Sequence, residues 1–350
     1  MQQMADMSII FHLLTVVGLF TILILVTKFL NLVIVYLRPS RLIRYAHPSV
    51  NGDAPWALVT GASDGIGRAF ARQLAAAGFN VVLHGRNYDK LSGAMAELQI
   101  KFPRREFMII IADASCVSCA DCLHHGSQNQ NNHNKKLDSS TPDFAAIQQK
   151  LGSMNLTVLI NNAGGGPVEA KFEPVSASPE ITVTENISLN ALFPLHLTRV
   201  LLPTLVRNGP SLVMNLSTMA DQGFPLIAYY SASKAFLMAT TRALRFEMQL
   251  EDLGGGSDVE ILGIRVGRVT DTAFCREPPS LFLPSAETLA SAALARAGYG
   301  NGIVEGYWAH ALQQLSARLL AILPKWVEDK VVVDTMRKQR ESVRQDRKKD

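Results

Sequence analysis

The chain has 350 residues, 48% of them hydrophobic, enough for one large core, and a net charge of +4. Residues 337–350 hold seven Lys/Arg and three Asp/Glu, so the whole excess sits in the tail and the body presents no basic surface of the kind nucleic acid requires. Four cysteines, three of them crowded at 116–122, are no disulfide framework for a chain this long, and a reduced compartment is the simpler reading.

In chain order, residues 8–27 carry no charge, and after Lys28 a second apolar run reaches Leu37, broken only by Asn31. About twenty apolar residues span a bilayer as a helix. Arg38, Arg41 and Arg44 follow, whereas the leader carries only Asp6, so the positive-inside tendency predicts a lumenal N-terminus and a cytosolic remainder. A cleaved signal peptide would want a basic leader, a shorter apolar stretch and a small-residue cleavage site, and all three are missing. A buried core helix is disfavoured by the length and the adjacent arginines.

From Ala54 the pattern becomes strand, glycine turn, helix, repeated. Apolar runs at 56–60, 81–83, 107–112, 157–160, 212–216 and 259–266 read as strands. Helical spacing fills 66–77, 89–102, 187–205 and 229–250, with stops at Gly78 and Pro103. Continuous apolar strands alternating with helices predict an α/β fold, a Rossmann-type doubly wound parallel sheet in a single domain. Residues 116–142, rich in Asn, Gln, Ser and His, interrupt this rhythm and read as a surface insertion. The predicted organisation is an anchor and juxtamembrane segment at 1–45, a catalytic domain at 54–310, and an amphipathic helix with a basic tail at 311–350.

The first turn carries chemistry. Gly61, Ser63, Asp64, Gly65, Ile66 and Gly67 follow a strand and open a helix, where glycines let the backbone approach a pyrophosphate at the positive helix terminus. A free ribose 2′-hydroxyl is usually held by a carboxylate about twenty residues on. The second strand ends instead in Leu83, His84, Gly85, Arg86 and Asn87, and Arg86 can pair with a 2′-phosphate. This favours NADPH over NADH; a surface arginine at a strand end is the plainer alternative. Asp113, closing the third strand, can accept from an adenine amino group.

Tyr230 and Lys234 are four apart and share one helix face. An ammonium near a phenol favours phenolate, so the pair predicts a tyrosine pKa lowered toward neutral. Tyr229 lacks such a partner, having Ser233 four residues on. Ser217, thirteen residues before Tyr230, falls at the end of a strand, where ligands sit in such sheets; Thr218 is its rival.

Taken with Asn161, Asn162, Ala163 and Gly164 after the fourth strand and with Asn190, these motifs resemble the short-chain dehydrogenase/reductase superfamily over residues 54–272. The resemblance implies a nicotinamide cofactor, which with Arg86 is expected to be NADPH, and Tyr230 as general acid in reduction. It implies that Lys234 lowers the phenol's pKa and binds the nicotinamide ribose, that Ser217 polarises the ketone, and that Asn190 positions Lys234 through a water. Asn162, Val269 and Thr272 would contact the cofactor. One departure is Val266-Gly267 where that superfamily usually carries Pro-Gly; register then places Asp271, with threonines on either side, where a threonine often binds the carboxamide.

The anchor, the glycine turn and Tyr307, Trp308, Ala309 and His310 narrow the likeness to membrane-bound very-long-chain 3-oxoacyl-CoA reductases and related 17β-hydroxysteroid dehydrogenases. That group implies an endoplasmic-reticulum membrane, single-pass, with a cytosolic catalytic domain and a role in fatty-acid elongation. The expected partners are a hydrophobic acyl-CoA or steroid-like ketone, the lipid bilayer and, by analogy, a second copy through 187–205 and 229–250; nucleic acid is not expected. The tail Arg347, Lys348, Lys349, Asp350 only approximates a di-lysine retrieval signal. The alternative substrates are a steroid or another hydrophobic ketone, including one of specialised metabolism. A catalytically silent fold would lack Tyr230, Lys234 or Ser217, and all three are present.

Cys116, Cys119 and Cys122 with His124, His125 and His133 could bind zinc, but the paired knuckles are absent, and no metal site is expected. His84, His196 and His310 read as satisfied packing residues. The sequons at Asn155, Asn186 and Asn215 read as chance matches inside a packed domain. Residues 312–327 read either as a membrane-interface helix or as a cover over the core.

Overall fold

The computed structural model describes residues 2–117, 141–166, 172–250, 258–320 and 323–346. The body of the expected insertion, with the histidines and two of the cysteines proposed for zinc, lies outside the described residues, as does the di-lysine-like end. Two compact units are present, Met1–Pro39 and Ser40–Asp350.

The first unit is one helix, α1 (Gln2–Leu37). Its stretch Phe11–Leu37 is long and apolar enough to cross a membrane, and none of its residues is fully buried against protein. At a rise of ~1.5 Å per residue, α1 is roughly 54 Å long, more than a hydrocarbon core needs.

The second unit is a seven-stranded, wholly parallel sheet. Its strands are β1 (Trp56–Thr60), β2 (Asn80–Gly85), β3 (Phe107–Ile111), β4 (Leu156–Asn161), β5 (Ser211–Thr218), β6 (Val259–Val266) and β7 (Ile303–Glu305), ordered 3-2-1-4-5-6-7. The order reverses between β1 and β4, the crevice where such sheets bind ligands. Alternate residues of the strands enter two cores. Val59, Val81, Leu83, Val158 and Ile160 pack under α2 (Gly65–Ala76), α3 (Tyr88–Lys101) and, later in the chain, α8 (Ala286–Leu294). Leu58, Val82, Leu159 and Val213 pack under α4 (Phe144–Leu151), α6 (Phe193–Arg207) and α7 (Ala228–Glu247).

A short helix α5 (Glu180–Ile187) runs into α6 through a widened π-turn at Ser188–Leu192. The stretch Glu180–Arg207 is also apolar enough to cross a membrane, but its burial marks it as a core helix. The three sequon asparagines are buried inside the domain, and Asn155 donates to the carbonyls of His47 and Asp53.

Six strands are expected from the sequence; β7 is the seventh. It has only three residues, beside Gly302 and Gly306, too short to show a period. Residues 40–45 pack into the body, where Leu42 and Tyr45 are buried and Tyr45 bonds Glu260. Beyond β7 come α9 (Trp308–Leu320) and α10 (Lys325–Asp346), divided at Leu323-Pro324. The basic stretch is helical as far as Asp346. Met336 of α10 is buried, with only 3% of its surface exposed.

Candidate active site

The carboxyl ends of the central strands open into a cleft of about 550 Å³. Gly61, Asp64, Gly65, Ile66 and Gly67 line it. Asp64 caps α2, its carboxylate accepting from the Gly65 N–H at 2.7 Å. Gly67 is required by proximity: a Cβ there would lie 2.0 Å from the Gly61 carbonyl oxygen and 2.5 Å from Asn162 Nδ2. Asn162 ties β4 to this turn by donating from its side chain to the Thr60 carbonyl (2.9 Å), while its N–H donates to the Thr60 hydroxyl (2.9 Å). Bare backbone at a helix N-terminus, packed too tightly for a side chain, fits a dinucleotide pyrophosphate.

Tyr230, Lys234, Ser217, Asn162, Val269 and Thr272 also line the cleft. Strand β5 carries Ser217 and α7 carries the other two catalytic candidates. Lys234 is buried, and its ammonium donates to the Leu216 carbonyl at 2.9 Å. The Ser217 hydroxyl makes a long bond, 3.4 Å, to the Lys234 carbonyl. Asn190 stands behind the lining. Its amide donates to the carbonyls of Gly165 (3.0 Å) and Asn186 (2.9 Å), and its Oδ1 accepts from the Gly165 N–H (3.0 Å). A Cβ on Gly164 would lie 2.7 Å from Asn190 Oδ1 and 2.8 Å from Lys234 Nζ, so the two side chains converge on one bare backbone position.

The electrostatics correct one expectation. Burial pushes the Tyr230 phenol up to about 12, partly relieved by a hydrogen bond from Thr218 and raised further by Asp221. Burial also lowers the Lys234 ammonium to about 8. The lysine points at a backbone carbonyl, and its charge does not offset the phenol's desolvation in the protein alone. Asp221 is itself buried against Arg265 at 2.6 Å, and the sequence gives no sign of its role. At neutral pH the phenol is a proton donor, the form reduction requires.

The missing Pro-Gly is accommodated locally. Asp271 takes a left-handed φ of 59°. Thr272, the next residue, therefore lines the cleft, and Asp271 does not. His310 supports this exit. It is fully buried, and its Nδ1 accepts from the Gly267 N–H at 3.1 Å. A Cβ on Gly267 would meet the His310 ring at 2.8 Å. His310 does not line the cleft, nor is it fully satisfied, its Nε2 having no hydrogen-bond partner among the described residues. His84 is likewise buried, with both ring nitrogens unpartnered among the described residues, and stacks on Phe193 at 4.9 Å; burial lowers it to about 4, so it is neutral. His196 packs on Phe144 as expected.

Ser63, Arg86 and Asp113 are not part of the cleft lining. Arg86 projects into solvent from the end of β2, its side chain 76% exposed, 3.6 Å from Asp113 at the end of β3. It is thus available to a group leaving the glycine turn. Sequence motifs miss Phe172, Ile227, Phe274, Gln339, Ser342 and Val343, which add to the lining from four separate segments. No short-range pattern marks them. Among the described residues no group of His, Cys, Asp and Glu is arranged to hold a metal.

The model of the family described as short chain dehydrogenase matches residues 55–130 and 134–277. A very-long-chain 3-oxoacyl-CoA reductase-like protein of Arabidopsis thaliana is 31% identical over 283 residues, 79% of this chain and 78% of that protein. The very-long-chain 3-oxoacyl-CoA reductase of Mus musculus is 26% identical over 297 residues, 84% of this chain and 83% of its own. Among solved structures, the bulky-bulky ketone specific alcohol dehydrogenase of Comamonas testosteroni shares the fold, with a TM-score of 0.56 and 19% identity over 77% of this chain and 95% of that one.

Proposed function

Because the chain belongs to the short chain dehydrogenase family and is an oxidoreductase, we propose that it uses NADPH to reduce a ketone to a secondary alcohol, the ketone being the 3-oxo group of a very-long-chain acyl-CoA. One observation carries the reading: Tyr230, Lys234 and Ser217 line the same cleft as the bare-backbone turn Gly61–Gly67. When bound, the nicotinamide supplies the hydride. The chain's own residues do the rest. Tyr230, protonated at neutral pH, donates its proton to the carbonyl oxygen as the alcohol forms. Ser217 hydrogen-bonds that oxygen and polarises it. Lys234, held by the Leu216 carbonyl, would bind the ribose hydroxyls of the cofactor and, with the cofactor in place, support the forming phenolate with its positive charge. Asn190 fixes the Gly165 backbone beside it. Thr272, Val269 and Asn162 would flank the nicotinamide, and Arg86 with Asp113 would meet the adenosine end, the guanidinium taking the 2′-phosphate.

The acyl-CoA assignment draws support from the names of the Arabidopsis and mouse relatives and from α1, which would keep the enzyme beside a lipid substrate. We place it as a single-pass protein of the endoplasmic-reticulum membrane with the catalytic unit cytosolic, from the arginines that follow α1. A homo-oligomer through α6 and α7 belongs to the same reading; Phe236 and Phe246 are exposed on α7.

The test is NADPH oxidation by the full-length enzyme in detergent, offered a long-chain 3-oxoacyl-CoA beside steroid ketones, with Tyr230→Phe as control. Turnover of the acyl-CoA that vanishes in the variant is the expected result. Turnover of a steroid alone discards the substrate and keeps the mechanism.

A further inference from the structure

The cleft is closed in part by the last helix. Gln339, Ser342 and Val343 of α10 line it, at positions i, i+3 and i+4, so one helical face turns toward the cavity. The neighbouring positions do something else. Arg340 donates to Glu173 at 2.7 Å, and Arg344, one turn on, lies 3.6 Å from the other oxygen of the same carboxylate. The two arginines hold the Glu173 carboxyl below its usual range, Arg340 foremost. Glu173 directly follows Phe172, itself part of the lining. On both partners, then, a residue facing the cavity adjoins a residue of the clamp: Phe172 with Glu173, Gln339 with Arg340, Val343 with Arg344. Met336, one turn before Gln339 and Arg340, is buried and fixes the same face.

In the chain this helix follows the sheet and its covering helices, and side chains of Met336, Arg340 and Arg344 hold it against the body. We propose that α10 is the specificity-determining wall of the substrate compartment, and that Glu173 with Arg340 and Arg344 is the positioning clamp that sets where the wall stands. The inference rests on the ketone-reductase reading and deepens it. Bulk on the ketone beyond the reacting carbon must be accommodated against Gln339, Ser342 and Val343, whereas a small ketone need not reach them.

The experiment uses the full-length enzyme in detergent and a set of 3-oxoacyl-CoAs of increasing chain length, with a small cyclic ketone and steroid ketones alongside. Val343→Trp should raise KM for the longest acyl chain about tenfold relative to that for the small ketone. Val343→Ala, which removes bulk from a partly exposed position, should shift preference toward longer chains. Glu173→Gln should raise KM for the long substrate with kcat unchanged, and Glu173→Asp should restore part of it. Equal losses on small and large ketones, or an unaltered size profile in every variant, would overturn the proposal while leaving the reductase reading intact. If only steroid ketones turn over, the same size comparison is read on them. A wild-type enzyme inactive on every ketone sinks both.

Discussion

The glycine turn and the C-terminal helix line one cleft, yet they are held in place by different physics. Gly61–Gly67 joins β1 to the first turn of α2, with backbone packed so closely that Gly67 has no room for a single carbon. Helix α10 reaches the cleft through one buried methionine and a clamp of three charged side chains. Dense backbone packing resists change, whereas partly exposed ion pairs contribute little stability and are screened by salt. The comparison teaches which part of the site is rigid enough to hold a common cofactor and which part is free to differ between substrates.

The strongest test concerns the chemistry both regions serve. Tyr230→Phe should lower ketone reduction by about 10²–10⁴-fold while NADPH still binds, as seen by titration of cofactor fluorescence. Substantial residual reduction would remove the phenol from the mechanism.

Lys234 gives a stability test with a definite sign. Its folded-state pKa, about 8, lies below the ordinary 10.5, so between those values the unfolded chain binds more protons. Stability of the cofactor-free protein should therefore rise from pH 8 to 10, by on the order of 2 kcal/mol, and Lys234→Met should flatten that rise. Tyr230 works the other way: its raised pKa contributes stability present below pH 10 that is lost as pH climbs toward 12. Chemical denaturation at a series of pH values reads both; a wild-type curve flat from 8 to 10 contradicts the burial of the lysine.

Gly67→Ala sharpens the contrast of rigidity. Overpacking the turn should cost about 1–3 kcal/mol in unfolding free energy and weaken NADPH binding, whereas Val343→Ala should leave cofactor affinity unchanged. Similar losses of affinity in both would show that the two regions are not independent.

The smallest effect belongs to the exit of β6. Asp271→Val should cost about 1 kcal/mol at its left-handed φ, and Asp271→Gly should cost little or nothing, by thermal melting. An equal cost for both would place the importance of Asp271 in its side chain.

Much of the cofactor region was legible because its constraints are local. Gly61, Gly65, Gly67, Asn162, Ser217, Tyr230 and Lys234 stand at fixed offsets from strands and helices whose apolar periods are strong, and the cleft receives them all. At the exit of β6 the sequence names Thr272 as a cofactor contact while register points to Asp271, and it takes the backbone turn at Asp271 to bring Thr272 rather than Asp271 into the cleft lining. The phenol's pKa was misread for a related reason. Spacing of four puts Lys234 on the face of Tyr230, but the direction of the ammonium depends on the carbonyl that β5 offers it, and the desolvation of both depends on what packs around them.

By itself the sequence determined the apolar N-terminal helix, the parallel α/β sheet and the glycine, serine, tyrosine and lysine motifs, since these follow from composition, period and spacing along one segment at a time. Only the tertiary structure decided that α10 lines the cleft, that Glu173 grips it from more than 160 residues away in the chain, and that His310 braces Gly267. Those contacts join segments with no shared period, and their energy exists only once the sheet has brought the segments together.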